Sequence, residues 1–446
     1  GRDTGASADG CDTPIAPRSS AAWRGTPFPA REGGAVSAAN RVRSPRLPLH
    51  NIRVVDFSRV WAGPFGARFL ADFGADVIRV ESARFPDMRA TPGLPPRVRR
   101  ERDAHFAEMH RNKRSVTLDL HGPRGRELAR RLVAEADVVV ENFGPGVMDR
   151  WGLGYADLRA VKPDLIMVGM PGLGGEGPHS TYLAYGQQLM GYLGLSPLWR
   201  QPESPMAASC KLAYPDFIAA GQLAVGVTAA LLHREQTGEG QYIEVAQIDS
   251  VASMMGVAFL DYFLNGRIWE PQGNAGLNHA PHSVYRCLGH DRWVAIACET
   301  EEEWRALCAA MDAPDLAADP RFATRALRHE HRAALDPLIA AWTEGQTPHQ
   351  VMERLQRAGV PAGVVATSED LYHDVHLRGR GFLVTIDHPQ PGRLDHPGMT
   401  ARLSATPGCV RRPAPLLGEH NEEVFLDLLR LPQAEYEELI DEGVIG

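Results

Sequence analysis

The fold is decided by residues 210–247, CKLAYPDFIAAGQLAVGVTAALLHREQTGEGQYIEVAQ. The segment from Phe217 to Leu232 is apolar and rich in Ala and Gly, which predicts a buried helix. His233 and Arg234, followed by a Gly-rich turn, form a helix stop signal. Residues Tyr242 to Val245 then predict a strand, so we expect a long internal helix that leads directly into a sheet.

Asp216 is expected at the N-cap of this helix. There its carboxylate would face unpaired backbone N–H groups and the positive end of the helix dipole. Both interactions favour the ionised form, which makes Asp216 a candidate nucleophile. Asp is also among the commonest N-cap residues, so on the pattern alone a purely structural cap is the simpler interpretation.

The composition predicts a soluble protein with more than one domain. The chain has 446 residues, which is too long for one ordinary core, and its 44% apolar and 23% charged residues are typical of globular proteins. The net charge is −8 and no basic stripe is present, so nucleic-acid binding is not expected. The longest apolar run is too short and too rich in Gly to cross a bilayer, so no membrane partner is expected either.

The cysteines point to a reducing compartment. The six cysteines are scattered along the chain, and no two of them form a C-x-x-C motif. They are Cys11, Cys210, Cys287, Cys298, Cys308 and Cys409. Their spacing predicts neither a zinc site nor a disulfide framework, and we expect a cytoplasmic protein without a metal site. Residues 1–47 lack periodicity and are rich in Ala, Gly, Arg, Ser and Pro, which predicts a poorly ordered extension.

The region after this extension alternates strands and helices. A strand Ile52–Asp56, a helix Pro64–Phe73 and a strand Val77–Val80 give a β-α-β unit like those of nucleotide-binding folds. The turn between them reads AGPFG instead of G-x-G-x-x-G, which counts against a nucleotide-dependent oxidoreductase. Further strands and helices are predicted at Ser115–Leu118, Arg124–Ala136, Val138–Glu141 and Leu165–Gly169. The turn 142–146 follows a strand, where open α/β sheets place ligands.

The later part of the chain predicts a smaller α+β domain. Its elements are a strand Trp293–Ala297, a helix Glu301–Met311, an irregular link Pro314–Phe322, helices Ala326–Thr343 and Pro348–Ala358, and a strand near Val364. The last helices, Asn421–Leu429 and Gln433–Glu442, are expected to return to the first domain. We therefore predict an α/β protein. It has a Rossmann-like parallel-sheet large domain (48–250 and 400–446), a small domain (273–375), and linkers 251–272 and 376–399.

Five segments together resemble the class III CoA-transferase family. They are VVDFSRVWAGPFGARFLADFGADVIRVE, RNKRSVTLDL, ADVVVENFGPGVMDRWGLGY, YPDFIAAGQLAVGVTAALLHREQTGEGQ and PLLGEH. That family includes formyl-CoA transferase and carnitine CoA-transferase and is related to α-methylacyl-CoA racemase. The resemblance runs from about residue 50 to the C-terminus. It implies ring-shaped chains that interlock as homodimers, with acyl-CoA and carboxylic acids as substrates and no tightly bound cofactor.

The resemblance also implies a role for each matching position. Asp216 falls on the family's catalytic aspartate, and the loop Val60, Trp61, Ala62 falls on the loop that lines the acyl site. The positions around CoA are Ser82, Leu118, His121, Asn142, Phe143, Gly144, Arg150 and Leu183. Trp61 replaces a glutamine of formyl-CoA transferase, and His121 and Leu183 replace lysines, which disfavours formyl and oxalyl substrates.

The implied chemistry is CoA transfer through an aspartyl anhydride and an aspartyl-CoA thioester. The alternative on the same fold is an acyl-CoA racemase or isomerase. The racemase's catalytic histidine matches Tyr185, and a phenol is a poor base at neutral pH, so transfer is preferred. The segment Gly276-Leu277-Asn278-His279 matches the glycine-rich lid of formyl-CoA transferase. His279 and His282 lie near it and are candidate acid–base groups, although a single loop histidine is usually structural or exposed.

Overall fold

The computed structural model describes residues 47–84, 103–204 and 212–446, so the predicted extension lies outside the described residues except for Leu47. Cys11 and Cys210 also lie outside them. The described chain forms two compact units. The first contains the residues up to Gly186 together with Tyr214–Ser250 and Gly381–Gly446. The second contains Gln187–Ala213 and Val251–Arg380.

The first unit is built on a parallel sheet of six strands in the order β3-β2-β1-β4-β5-β6. The strands are β1 Arg53–Asp56, β2 Asp76–Glu81, β3 Arg114–Thr117, β4 Val138–Glu141, β5 Ile166–Gly169 and β6 Tyr242–Glu244. This confirms the predicted α/β class. The strand order reverses between β1 and β4, and loops that leave the carboxyl ends of strands at such a switch point form a crevice.

Helices cover both faces of this sheet. They are Ala62–Asp72, Ala104–His110, Pro123–Ala134, Val147–Arg150, Tyr155–Val161, Tyr214–Thr237, a π-helical turn Glu423–Leu428, and Gln433–Asp441. One core lies under Pro123–Ala134 and the C-terminal helices, where Phe425 and Leu439 pack with the sheet. The other core lies between the sheet and the helices Ala62–Asp72 and Tyr214–Thr237. The C-terminal segment therefore completes the first unit by burying its apolar side chains there.

The long helix Tyr214–Thr237 packs directly on the helix Ala62–Asp72. Gly66 permits this close approach, because a Cβ there would lie 2.9 Å from Leu223 Cδ1. The helix has 24 residues and is long and apolar enough to cross a membrane by length and composition, so our expectation that the run is too short is wrong. Such a helix is also typical of a soluble core, and its buried face contacts the sheet. The opposite face is not buried within the described chain, since Val225 is 71% exposed.

The second unit contains a three-stranded antiparallel sheet, β7 His282–Arg286, β8 Trp293–Ala297 and β9 Ala362–Val364. Its helices are Leu195–Leu198, Gly256–Asn265, Glu301–Ala310, Pro314–Ala318, Arg325–Glu330, Arg332–Thr343, Pro348–Arg357, Ser368–His373 and Val375–Gly379. Short 3₁₀ turns occur at Ser253–Met255 and Pro320–Phe322. The helices Gly186–Tyr192 and Gln247–Ala252 lie where the chain passes from one unit to the other.

Four segments differ from the expectations. The irregular link 314–322 contains a helix and a 3₁₀ turn, because prolines at the first positions of both supply the φ angle that a helix needs. The helix expected over 326–343 is two helices, and the first starts after Thr324, whose side chain caps it. The linker 376–399 carries an antiparallel hairpin of the first unit, β10 Leu383–His388 and β11 Gly392–Pro397, and the linker 251–272 carries the helix Gly256–Asn265.

Candidate active site

A cavity of about 350 Å³ lies at the carboxyl ends of β1, β4, β5 and β6, with all its walls in the first unit. Its lining residues are Arg59, Val60, Asn142, Phe143, Gly144, Pro145, Gly172, Ser180, Thr181, Tyr182, Leu183, Ala184, Tyr185, Asp216 and Gln247. The loops that follow β1 and β4 meet here, at the switch point of the sheet. Asp216 thus lies where this fold class binds ligands.

The carboxylate of Asp216 is almost fully buried in this cavity wall, with 9% of the residue exposed. The helix begins at Tyr214, so Asp216 lies in its first turn and is not the N-cap that the sequence predicted. Burial raises the pKa of Asp216 to about 6, although the backbone N–H groups of Ala62 and of Asp216 itself oppose this shift. From the helix start in the sequence, we expect the ionised form of Asp216 to be favoured. That expectation is wrong because loss of solvation outweighs the N–H groups.

The loop after β1 is held in an unusual conformation beside Asp216. Val60 has a φ of 67°, a region that β-branched residues rarely adopt and that costs about 1–3 kcal/mol. Asn142 fixes the loop, since its Oδ1 accepts from the Arg59 N–H at 2.7 Å and its Nδ2 donates to the Arg59 carbonyl at 2.7 Å. The two loops at the switch point are therefore joined directly, and this arrangement places the Ala62 N–H against the Asp216 carboxylate.

A buried charge pair at the end of β1 stabilises the start of the same loop. Lys113 Nζ donates to Asp56 Oδ2 at 2.8 Å, and both side chains are fully buried. Asp56 also accepts from the Ser58 backbone N–H at 3.0 Å, and Arg79 donates to the Ser58 carbonyl at 2.7 Å. Burial lowers the pKa of Lys113 to about 8, a shift that the neighbouring Asp56 carboxylate partly offsets. The pair ties β1, β2 and β3 to the start of the loop.

A second, narrower cavity of about 70 Å³ shares the walls Arg59 and Phe143 with the first. It is lined by Phe57, Arg59, Arg79, Val80, Glu81, Ser82, Leu118, Leu120, His121, Phe143 and Trp151. Four predicted CoA positions meet there, namely Ser82, Leu118, His121 and Phe143. The Trp151 ring contacts Phe143 and His121, with ring centroids 5.4 Å and 6.3 Å away. The two cavities together offer an acidic end, which contains Asp216, and an aromatic end, which contains Trp151 and His121.

The remaining predicted positions divide between the cavity and its surroundings. Val60, Asn142, Gly144 and Leu183 line the cavity of Asp216. Among the described residues, Trp61, Ala62 and Arg150 line neither cavity. Trp61 packs on the Phe217 and His105 rings at 5.2 Å and 4.2 Å, and Ala62 contributes only its N–H group. Arg150 is an exposed residue of the helix Val147–Arg150.

The three candidate acid–base groups lie in different units of the chain. Tyr185 lines the cavity together with Asp216. His279 and His282 belong to the second unit, where their rings contact each other at 4.7 Å. Within the described ranges, no group of three His, Cys, Asp or Glu side chains is arranged to hold a metal ion.

Sequence reasoning missed Arg59, Tyr182 and Gln247 as wall residues. Arg59 follows the carboxyl end of β1 and Gln247 follows that of β6, which is the signal that could have found them.

A family model described as CoA-transferase family III matches residues 49–421. The chain belongs to CoA-transferase family III. A succinyl-CoA–D-citramalate CoA-transferase of Chloroflexus aurantiacus is 38% identical and covers 88% of this chain and 96% of its own. A succinate–glutarate CoA-transferase of Agrobacterium fabrum is 32% identical over 85% of this chain and 96% of its own. A CAIB/BAIF family protein of Brucella suis has a similar structure, with a TM-score of 0.80, 32% identity, and coverage of 86% and 100%.

These findings confirm the resemblance and identify the chain as a family III CoA-transferase. Membership favours transfer over the oxidoreductase alternative. The sequence of the β1 loop agrees, because its turn AGPFG lacks the G-x-G-x-x-G pattern of dinucleotide-binding folds.

The CoA-transferase should lose activity as the pH falls through about 6. We propose below that Asp216 is the nucleophile, and a nucleophilic carboxylate must be ionised. Because burial raises the pKa of Asp216 to about 6, kcat/KM for the acyl-CoA should fall about tenfold per pH unit below that value. Steady-state rates from pH 4.5 to 8 measure this limb, with circular dichroism at each pH as the control for folding. A limb centred near 4, where an exposed aspartate titrates, would contradict the burial effect.

Proposed function

We propose that the enzyme moves CoA from succinyl-CoA to a short dicarboxylic acid, with Asp216 as the nucleophile. The observation that carries this proposal is the cavity in which Asp216 and Arg59 occur together. Among the described lining residues Arg59 is the only cation, and a guanidinium suits a carboxylate that does not react. The relatives named for citramalate, malate and glutarate transfer act on acids of this class.

The reaction needs one carboxylate and proceeds by acyl exchange. An oxygen of Asp216 attacks the thioester carbonyl, the C–S bond breaks, and CoA thiolate leaves a mixed anhydride. The thiolate then attacks the Asp216 carbonyl of the anhydride, which releases the donor acid and forms an aspartyl-CoA thioester. The acceptor carboxylate repeats these steps in reverse and regenerates Asp216. The Ala62 N–H, already hydrogen bonded to Asp216, supports this role because it can stabilise the oxyanions.

We place CoA across the two cavities. Val60, Asn142, Gly144 and Leu183 would contact the pantetheine arm beside Asp216. Ser82, Leu118, His121 and Phe143 would contact the distal part, where the aromatic rings offer a stacking surface. Arg150 is exposed on its helix and is a candidate ligand for a CoA phosphate. Trp61 is a candidate support of the acyl site, because it packs on Phe217, the residue after Asp216. We also keep a cytoplasmic location as a proposal, since the four described cysteines form no disulfide.

The test crosses acyl-CoA donors with acceptor acids in D₂O and follows the products by mass spectrometry. We expect CoA to move from succinyl-CoA to dicarboxylic acids, and no deuterium at the α-carbon of a 2-methylacyl-CoA. Racemisation needs a second base on the opposite face of the α-carbon, and in the cavity that position falls to Tyr185, a phenol. Rapid deuteration without any acceptor would overturn the proposal and support the racemase alternative.

We further propose a homodimer, which the resemblance implies. The helix Gly256–Asn265 buries none of its residues within the described chain, and Phe263 is 82% and Leu264 71% exposed. Its face also carries Asp261, which pairs with Arg267 at 3.0 Å and accepts from Trp269 at 2.7 Å. A fixed ion pair inside an apolar face suits a protein surface better than lipid. A second copy of this chain is therefore the proposed occupant.

Sedimentation velocity down to nanomolar concentrations should show a dimer that does not dissociate without unfolding. Phe263→Asp should weaken it, because the substitution places a charge in the apolar face. Val375→Asp, at an exposed valine of the helix Val375–Gly379, is the matched control and should leave it unchanged. A stable, folded wild-type monomer at micromolar concentration would rule the dimer out.

A further inference from the structure

Gln247 is a fixed, buried side chain of the cavity wall. It follows β6 at the start of the helix Gln247–Ala252, and only 6% of the residue is exposed. Its backbone N–H donates to the Pro171 carbonyl at 3.1 Å, and its side-chain Nε2 donates to the Met170 carbonyl at 3.3 Å. Both anchors lie just after β5, so the side chain is held at the carboxyl edge of the sheet beside Asp216.

The orientation of the Gln247 amide follows from these partners. A backbone carbonyl only accepts hydrogen bonds, so the atom near Met170 must be the NH₂ group and the other atom is Oε1. Oε1 is buried and has no hydrogen-bond partner among the described residues. Buried polar atoms almost always have a partner, so an unpaired acceptor on a residue that lines a binding cavity calls for a ligand that donates.

Resting on the function proposed above, we propose that Gln247 is a specificity residue that selects acceptor acids carrying a hydroxyl group. Its Oε1 accepts the hydrogen bond of that hydroxyl while the acceptor carboxylate approaches Asp216. An acid without the hydroxyl cannot donate, and its binding would leave Oε1 desolvated and unpaired. Ionised Asp216 cannot donate a hydrogen bond to Oε1, because a carboxylate has only acceptor oxygens.

One other ligand group could donate to the same atom. The pantetheine arm of CoA carries amide N–H groups, and it enters the same cavity in the proposed complex. A bond from pantetheine would be made whatever the acceptor acid is, whereas a bond from the hydroxyl would be made only with hydroxy acids. A comparison of paired acceptors therefore distinguishes the two donors.

The experiment measures kcat/KM for citramalate and for its deoxy analogue methylsuccinate, both with succinyl-CoA as donor. The wild-type enzyme should prefer citramalate by about 10- to 100-fold. Gln247→Met keeps the size of the side chain but removes the acceptor. It should therefore lower kcat/KM with citramalate and raise kcat/KM with methylsuccinate, because methylsuccinate no longer leaves an acceptor unpaired. Gln346→Met is the matched control, since Gln346 also donates to a backbone carbonyl, that of Trp342, but in the second unit.

Each outcome bears on one proposal. Loss of the preference in Gln247→Met but not in Gln346→Met supports the selection of hydroxy acids. An equal loss with both acids assigns Oε1 to pantetheine and overturns it, as does a wild-type enzyme that does not discriminate. Absence of CoA transfer to every carboxylic acid tested would instead overturn the function on which the inference rests.

Discussion

Asp216→Asn should lower CoA transfer by about 10⁴-fold or more if Asp216 is the nucleophile, as we propose, because an amide cannot form the proposed anhydride. Incubation of the wild-type enzyme with succinyl-CoA, followed by hydroxylamine or borohydride, should modify Asp216, and peptide mass spectrometry locates the adduct. Asp427→Asn changes an exposed aspartate in the C-terminal helical turn and is the matched control, with activity unchanged. Full activity of Asp216→Asn or Asp216→Ala would remove the nucleophile from the mechanism.

The same Asp216→Asn substitution should stabilise the fold at pH 8. The folded protein binds the Asp216 proton more tightly than the unfolded chain, because burial raises the pKa to about 6 from the usual 3.8. Ionisation therefore destabilises the folded state progressively from pH 4 to pH 6 and fully above pH 6, by about 3 kcal/mol. Asn has no charge to bury. The melting temperature of the Asp216→Asn variant should exceed that of the wild-type protein at pH 8, and the difference between the two should shrink towards pH 4.

Lys113→Met should destabilise the protein by about 3–5 kcal/mol, the cost of leaving a buried carboxylate without its cation. Asp56 is fully buried, and after the substitution its nearest remaining cation is Arg79, whose Nη1 lies 4.0 Å away. The Ser58 contacts that hold the loop would loosen with it, so the activity of the folded fraction should fall too. Thermal and urea unfolding followed by circular dichroism measure the loss.

The matched control for this prediction is Lys162→Met. Lys162 pairs with Asp164 at the same distance, 2.8 Å, but the two side chains are 26% and 37% exposed. An ion pair in contact with water contributes about 0–1 kcal/mol, so this variant should be nearly neutral. The double variant Lys113→Met/Asp56→Leu should recover much of the loss, because it removes both buried charges. Equal destabilisation by Lys113→Met and Lys162→Met would contradict the role of the buried pair.

The sequence by itself determined the order of the elements and the family. Val138–Glu141 and Trp293–Ala297 are strands with the predicted ends, and the helix and strand of the opening segment occur where expected. These elements could be predicted because apolar periodicity and stop signals are local properties of the chain. The motifs around Asp216 and the turn after β4 identified the family for the same reason, since they are short and continuous.

Only the tertiary structure decided the properties of the site. The helix start favoured an ionised Asp216, yet burial by neighbouring segments raises its pKa. Val60 adopts its left-handed φ in a loop that is held by the contact between Asn142 and Arg59, which are 83 positions apart. The open acceptor of Gln247 exists because its partner Met170 comes from another strand end, 77 positions away. Solvation, strain and unpaired hydrogen-bonding groups depend on what surrounds an atom in space, and no local pattern in the sequence carries that information.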